Sequence, residues 1–106
     1  METFNDIING KGLTLVDVYA TWCGLCKAMH PVLERLKEQM GDSIRILKLD
    51  VDRNGTLAAE YGIQSVPTLM LFRDGKVLWR QSGAMKMEDL GNIVLEFLPR
   101  DSGKSE

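Results

Sequence analysis

Apolar positions recur along the chain in two rhythms, one of three and four residues and one of short continuous runs. Phe4, Ile7 and Ile8 follow the first rhythm and are succeeded by Asn9, Gly10 and Gly12, which predicts a short helix over 2–9. Residues 13–19 are almost unbroken apolar sequence, the pattern of a strand buried on both faces, as in parallel sheets covered by helices. From Cys26 the apolar residues Met29, Val32, Leu33, Leu36 and Met40 return to helical spacing until Gly41 stops them. Pro31 lies inside this helix and predicts a kink, because a proline there removes a backbone hydrogen bond at a cost of about 3 kcal/mol. A second strand is expected over 44–51, and a short helix over 54–61 with Asn54 as its cap. Strand, helix and strand in this order imply a right-handed parallel crossover.

The second half changes character. Two short apolar runs, 68–72 and 77–80, flank Asp74-Gly75, a pair suited to the positive backbone angles of a tight hairpin, so this part of the sheet is expected to be antiparallel. Leu90, Ile93, Val94 and Phe97 mark a closing helix over 87–98. Its start is weak, with Lys86 where a capping residue belongs, and Gly91 inside it costs about 1 kcal/mol relative to alanine. Glu88 and Asp89 in its first turn compensate through the helix dipole. Residues 99–106 read as a polar, disordered tail.

Composition narrows the function. Of 106 residues, 44% are hydrophobic and 26% charged, which fits one globular domain, expected over 1–98. The apolar runs are far too short to cross a bilayer and no export signal opens the chain, so a soluble cytoplasmic protein is expected. A net charge of −2 without long charged runs offers no platform for nucleic acid or anionic lipid.

The chain has two cysteines, Cys23 and Cys26. A ring so short stabilises a fold by only about 2 kcal/mol on loop-entropy grounds, so the pair matters more for chemistry than for stability. It falls where the first strand gives way to the long helix. Unpaired N–H groups at the helix start favour a thiolate on Cys23 and make it the nucleophile, with Lys27 as additional support. Cys26, three residues on, shares its helix face and can close a disulfide as the resolving thiol. Two other readings stand beside this one. The cysteines are core residues, or they bind metal with His30 in a C-x2-C-x3-H pattern, completed across a dimer or bridging an iron-sulfur cluster. Asp17 also stands out, because a carboxylate amid Leu15, Val16 and Val18 is costly to bury without a partner or a task, and burial raises its pKa.

The run Leu15-Val-Asp-Val-Tyr-Ala-Thr-Trp-Cys-Gly-Leu-Cys-Lys27, with Pro31 after it and Val66-Pro67-Thr68 later, resembles the thioredoxin family. The likeness extends from Leu13 to Leu98 and includes Lys48 to Asp52, Tyr61-Gly62-Ile63, Asp74-Gly75 and Gly83-Ala84. It implies an α/β thioredoxin fold, a mixed central sheet of about four strands flanked by helices. The implied activity is protein-disulfide reduction, with Cys23 attacking and Cys26 resolving and no cofactor beyond their redox-active disulfide. The implied partners are oxidised proteins and thioredoxin reductase, an NADPH-dependent flavoprotein. By the same resemblance Asp17 lies beneath Cys26 and relays its proton, with Lys48 as neighbour; the alternative is a buried Asp17–Lys48 pair of structural value alone. Pro67 is expected to follow a cis peptide bond and face the cysteines, with the Val66 backbone pairing to an extended substrate. Trp22, Gly24, Leu25, Val66, Pro67, Gly83 and Ala84 correspond to the apolar surface that meets substrates, and Met85 either extends it or fills a gap in the core.

Three departures from the family pattern stand out. Leu25 replaces the usual proline between the cysteines, which predicts a reduction potential between about −270 and about −180 mV. Tyr19 replaces a frequent tryptophan. Only Met1 and Glu2 precede the first helix, so the usual opening strand is missing, and the strand over 44–51 is left as a free edge along which a monomer would associate weakly into dimers. A specialised thiol oxidoreductase and a non-catalytic thioredoxin-fold binding module, with or without a metal, are the alternative functions.

Overall fold

A computed structural model of the chain describes residues 2–98. The tail expected over 99–106 lies outside the described residues. Helix α1 (Phe4–Ile8) is followed by strand β1 (Leu13–Tyr19) and helix α2 (Gly24–Met40). A single 3-10 turn leads into β2 (Ile44–Asp50), and then come α3 (Gly55–Glu60), β3 (Thr68–Arg73), β4 (Lys76–Ser82) and α4 (Met87–Phe97). The four strands lie in the order β2-β1-β3-β4, with β1 and β2 parallel and the other pairs antiparallel. The parallel crossover and the antiparallel hairpin expected from the sequence are both present.

β1 is central because both of its faces are apolar. Leu13 and Leu15 pack with Met29, Leu33, Leu36, Leu90 and Val94 from α2 and α4. Val16 and Val18 turn to the other side, among Ile8, Met70 and Phe72, with Phe4 and Tyr61 closing that cluster. There the rings of Phe4, Tyr61 and Phe72 meet edge to face, with centroids 5.5–5.8 Å apart, an arrangement that adds to simple area burial. Fully burying side chains of this size contributes roughly 1.5–3 kcal/mol each, so β1 is the strand the fold is built upon.

Local signals explain most element boundaries. Asp74 and Gly75 take φ of 53° and 77°, the geometry of a two-residue hairpin turn, and a Cβ on Gly75 would collide with the Asn9 side chain. The backbone N–H groups of Asp74 and Gly75 donate to the carbonyls of Gly10 and Ile8, which fixes α1 against this hairpin. α1 starts with a reciprocal cap: Thr3 Oγ1 accepts from Asp6 N–H at 3.1 Å and Asp6 Oδ2 accepts from Thr3 N–H at 3.0 Å. Asn54 does precede α3, but it makes no side-chain cap bond. Its amide donates instead to the Asp50 carbonyl at 2.9 Å, fastening the loop to the end of β2. α2 runs through Pro31 without interruption. The sheet ends on one side at β2, whose outer edge carries no strand among the described residues.

Candidate active site

The end of β1 and the start of α2 bring the two cysteines together. Cys23 has extended backbone angles and occupies the N-cap position of α2, so the first turn of the helix opens directly onto its side chain. Its sulfur accepts a hydrogen bond from the Cys26 backbone N–H at 3.1 Å, taking the place of the oxygen that caps most helices. The two residues form a disulfide, with Cα atoms 5.3 Å apart. Cys23 is 8% exposed and Cys26 3%, so the first is the more open to an incoming group. The first turn of α2 contains no acidic residue. A negative sulfur at this point therefore meets backbone donors and the positive end of the helix dipole without a competing carboxylate.

A second wall faces the pair. The Val66–Pro67 bond is cis, and the Val66 carbonyl oxygen stands 3.8 Å from Cys23 Sγ. Thr68 holds this turn at the head of β3: its hydroxyl donates to the Ser65 carbonyl at 2.8 Å, and it accepts from the Ser82 hydroxyl at 2.9 Å. Behind it the Pro67 carbonyl accepts from Gly83 N–H at 2.8 Å, and Gly83 has a φ of 98°, a conformation that favours glycine.

Around these walls Trp22 and Leu25 are 69% and 57% exposed, Gly24 and Ala84 are exposed, and Val66 and Gly83 are half-buried. Pro67 is buried, and its neighbour Val66 is the more open of the two. Met85 packs against the α2/α4 core, and its N–H points to Met29 Sδ at 3.4 Å. Trp22 is anchored through its indole N–H, which donates to Asp52 Oδ2 at 2.9 Å. No sequence spacing singles out Asp52, thirty residues away; only the meeting of the β1–α2 and β2–α3 loops at one end of the sheet does.

Asp17 is 1% exposed, and its Oδ1 is buried without a hydrogen-bond partner. Loss of hydration pushes its pKa above the ordinary carboxylate range, and the positive fields of Lys48 and His30 offset this in part. Lys48 is its register partner on β2. A direct Asp17–Lys48 ion pair is not formed, however: the Lys48 ammonium contacts His30 Nδ1 at the exposed rim of α2. A buried pair would have stripped the ammonium of water, whereas the rim leaves it hydrated and gives it a ring nitrogen. His30, weighed in the sequence as a metal ligand, is thus engaged with a lysine. Among the described residues no group of three or more His, Cys, Asp or Glu side chains is arranged to hold a metal ion.

Comparison with known proteins agrees with this geometry. The family profile for thioredoxin matches residues 1–96. A thioredoxin of Bacillus subtilis is 43% identical over 88 residues, covering 83% of this chain and 85% of that protein. One of Staphylococcus saprophyticus is 42% identical over 97 residues, covering 92% of each. Among solved structures, a point mutant of a thioredoxin from Halobacterium salinarum superposes with a TM-score of 0.83 at 35% identity, covering 91% of this chain and 83% of that one. Fold, cysteine pair and relatives coincide: the chain belongs to the thioredoxin family and is a thiol-disulfide oxidoreductase with a protein-disulfide reductase role.

Proposed function

We propose that the domain over 1–98 is a general reductant of oxidised proteins in which Cys23 attacks and Cys26 resolves. The observation that carries this assignment is the place of the Cys23 sulfur at the acid-free start of α2, 3.1 Å from the Cys26 N–H and beside the Val66 carbonyl. In the reduced protein that position favours thiolate over thiol. The Cys23 thiolate attacks one sulfur of the substrate disulfide, that bond breaks, and the other substrate sulfur leaves as a thiolate. Cys26 then passes its proton to the Asp17 carboxylate and attacks Cys23 Sγ. The mixed disulfide breaks, the second substrate sulfur departs, and the protein is left with the Cys23–Cys26 disulfide. Two electrons have passed to the substrate, whose two departing thiolates take up protons from solvent, and Asp17 returns the Cys26 proton to solvent.

Asp17 suits the relay because its raised pKa makes it a stronger base than an exposed carboxylate. Lys48 tunes it through its charge. Trp22, Gly24, Leu25, Val66, Gly83 and Ala84 form the docking surface, with Pro67 beneath it, and an extended substrate segment pairs with the Val66 backbone. The protein needs no bound cofactor, and an NADPH-dependent flavoprotein, thioredoxin reductase, restores its dithiol. No described helix is long and apolar enough to cross a membrane, and cytoplasmic work on soluble proteins is the location we propose. The free β2 edge supports weak self-association, which sedimentation at high concentration would reveal.

The deciding experiment is dithiothreitol-driven insulin reduction with wild type, Cys23→Ser and Cys26→Ser. Serine also caps helices, so Cys23→Ser should fold normally and lose turnover by on the order of a thousandfold or more. Cys26→Ser should accumulate a mixed disulfide through Cys23. Turnover surviving in Cys23→Ser would overturn the assignment. A glutathione titration of the wild type should place the potential between about −270 and about −180 mV.

A further inference from the structure

Asp17 and Lys48 leave adjacent parallel strands at the same register, on the face covered by α2. A four-carbon stem at that position has the reach to lay its ammonium against the carboxylate. It does not do so: Asp17 Oδ1 is buried and unpartnered, while Lys48 Nζ contacts His30 Nδ1 and lies 3.4 Å from Nε2. His30 stands on α2 one turn after Cys26. We propose that His30 is a positioning residue: its ring nitrogen holds the Lys48 ammonium at the rim of the sheet and so keeps Asp17 free of a direct ion pair.

The consequence concerns the proton. An opposite charge brought within about 4–6 Å of a carboxylate lowers its pKa by about 1–3 units. With the ammonium docked on it, Asp17 would be a weaker base toward Cys26. With the ammonium parked on His30, burial dominates and the carboxyl remains high. The contact needs an unprotonated ring nitrogen, because a fully protonated ring offers an ammonium only donors and would act on Asp17 as a second positive charge. His30 and Lys48 line a groove between α2 and β2 together with Glu34, Lys37 and Arg45, and its two other basic groups are committed elsewhere. Lys37 donates to the Gly41 and Ile44 carbonyls, and Arg45 pairs with Glu2. Glu34 also lines the groove, Lys27 lies on the exposed side of α2, and Asp50 at the end of β2 accepts from the Asp52 N–H. Glu34, the acid lining the groove, is the other group there able to attract the lysine.

The importance of this arrangement for turnover rests on the proposed relay by Asp17, and the test separates the two. In carboxyl-labelled, reduced protein, carbon NMR follows the Asp17 titration while insulin reduction is profiled against pH. His30 is exposed, so His30→Ala leaves the core untouched. It should release Lys48 and lower the Asp17 midpoint by about one pH unit or more. His30→Gln, whose amide oxygen also accepts from an ammonium, should restore the midpoint toward wild type. In a Lys48→Met background, His30→Ala should produce no fall. An unchanged or raised midpoint in His30→Ala, or an undiminished fall in the Lys48→Met background, overturns the proposal. A midpoint that falls while the pH profile of turnover stays fixed supports the positioning and refutes the relay.

Discussion

Two helices cover the same face of the sheet, and their first turns are built differently. α4 begins at Lys86, which makes no side-chain cap bond, and it carries Glu88 and Asp89 in its first turn. α2 begins at Cys23, whose sulfur accepts from the backbone, and has no acid in its first turn. The carboxylates of α4 satisfy the positive end of its dipole, which stabilises a helix and leaves nothing for a ligand. In α2 that positive end is left to sulfur. The difference teaches that the site depends on what is kept out of one helix turn as much as on the two cysteines placed in it.

One acid is admitted near the cysteines on this reading, and replacing it should have the largest effect among substitutions that spare both sulfurs. Asp17→Asn should slow turnover on the order of a hundredfold, the usual scale of general acid-base assistance. It should also stabilise the fold at neutral pH by about 1–3 kcal/mol, because an ionised carboxylate without a partner is no longer buried. The sign follows from the raised pKa. Below the ordinary value of 3.8 the carboxyl is protonated in folded and unfolded chains alike, and wild type carries no penalty. As pH rises from there through the raised folded value, the unfolded chain loses its proton first, so wild-type stability falls. Urea unfolding of both proteins across this range checks it; parallel curves would mean that Asp17 is not perturbed in the fold.

How much of this is legible from sequence depends on distance along the chain. β1 is plain because an apolar run needs no partner to identify it, and the Asp74-Gly75 hairpin because its backbone angles are local. Asp17 is conspicuous for the same reason, as a charge inside that run. The Thr3–Asp6 cap is legible as a Thr-x-x-Asp pattern that a helix read over 2–9 overruns, and Asn54 misleads because its amide finds the Asp50 carbonyl instead of a helix N–H. The contacts of Lys48 with His30 and of Trp22 with Asp52 join different elements, 18 and 30 residues apart. No periodicity relates such residues, and only the packing of α2 on the sheet and of two loops at its end decides them.

The comparison of helix starts is sharpened by placing an acid where α2 lacks one. Leu25 is exposed in the first turn, so Leu25→Glu should fold, and the new carboxylate should compete with the Cys23 thiolate for the same donors. Charges at helix ends contribute about 0.3–1 kcal/mol, so the thiolate should be disfavoured by about two- to fivefold at neutral pH. Thiolate absorbance followed against pH reads this directly. Leu25→Gln is the control, since it loses the same apolar contact without adding charge, and it should titrate close to wild type. Equal shifts in both variants would assign the effect to lost packing and break the argument from charge.

The smallest effect belongs to the other helix. Lys86 already has the extended backbone of a cap and lacks only an acceptor, so Lys86→Ser should let a hydroxyl receive the Asp89 N–H. Exchanging a positive side chain for a capping oxygen at a positive helix end should stabilise the fold by about 1 kcal/mol, measurable as a higher denaturant midpoint at unchanged slope. Insulin reduction and the Cys23 titration should not move, because α4 presents its start to solvent and not to the cysteines. A change in either would mean that the two first turns are coupled through the Gly83 to Lys86 segment, and that the charge at the start of α4 belongs to the site after all.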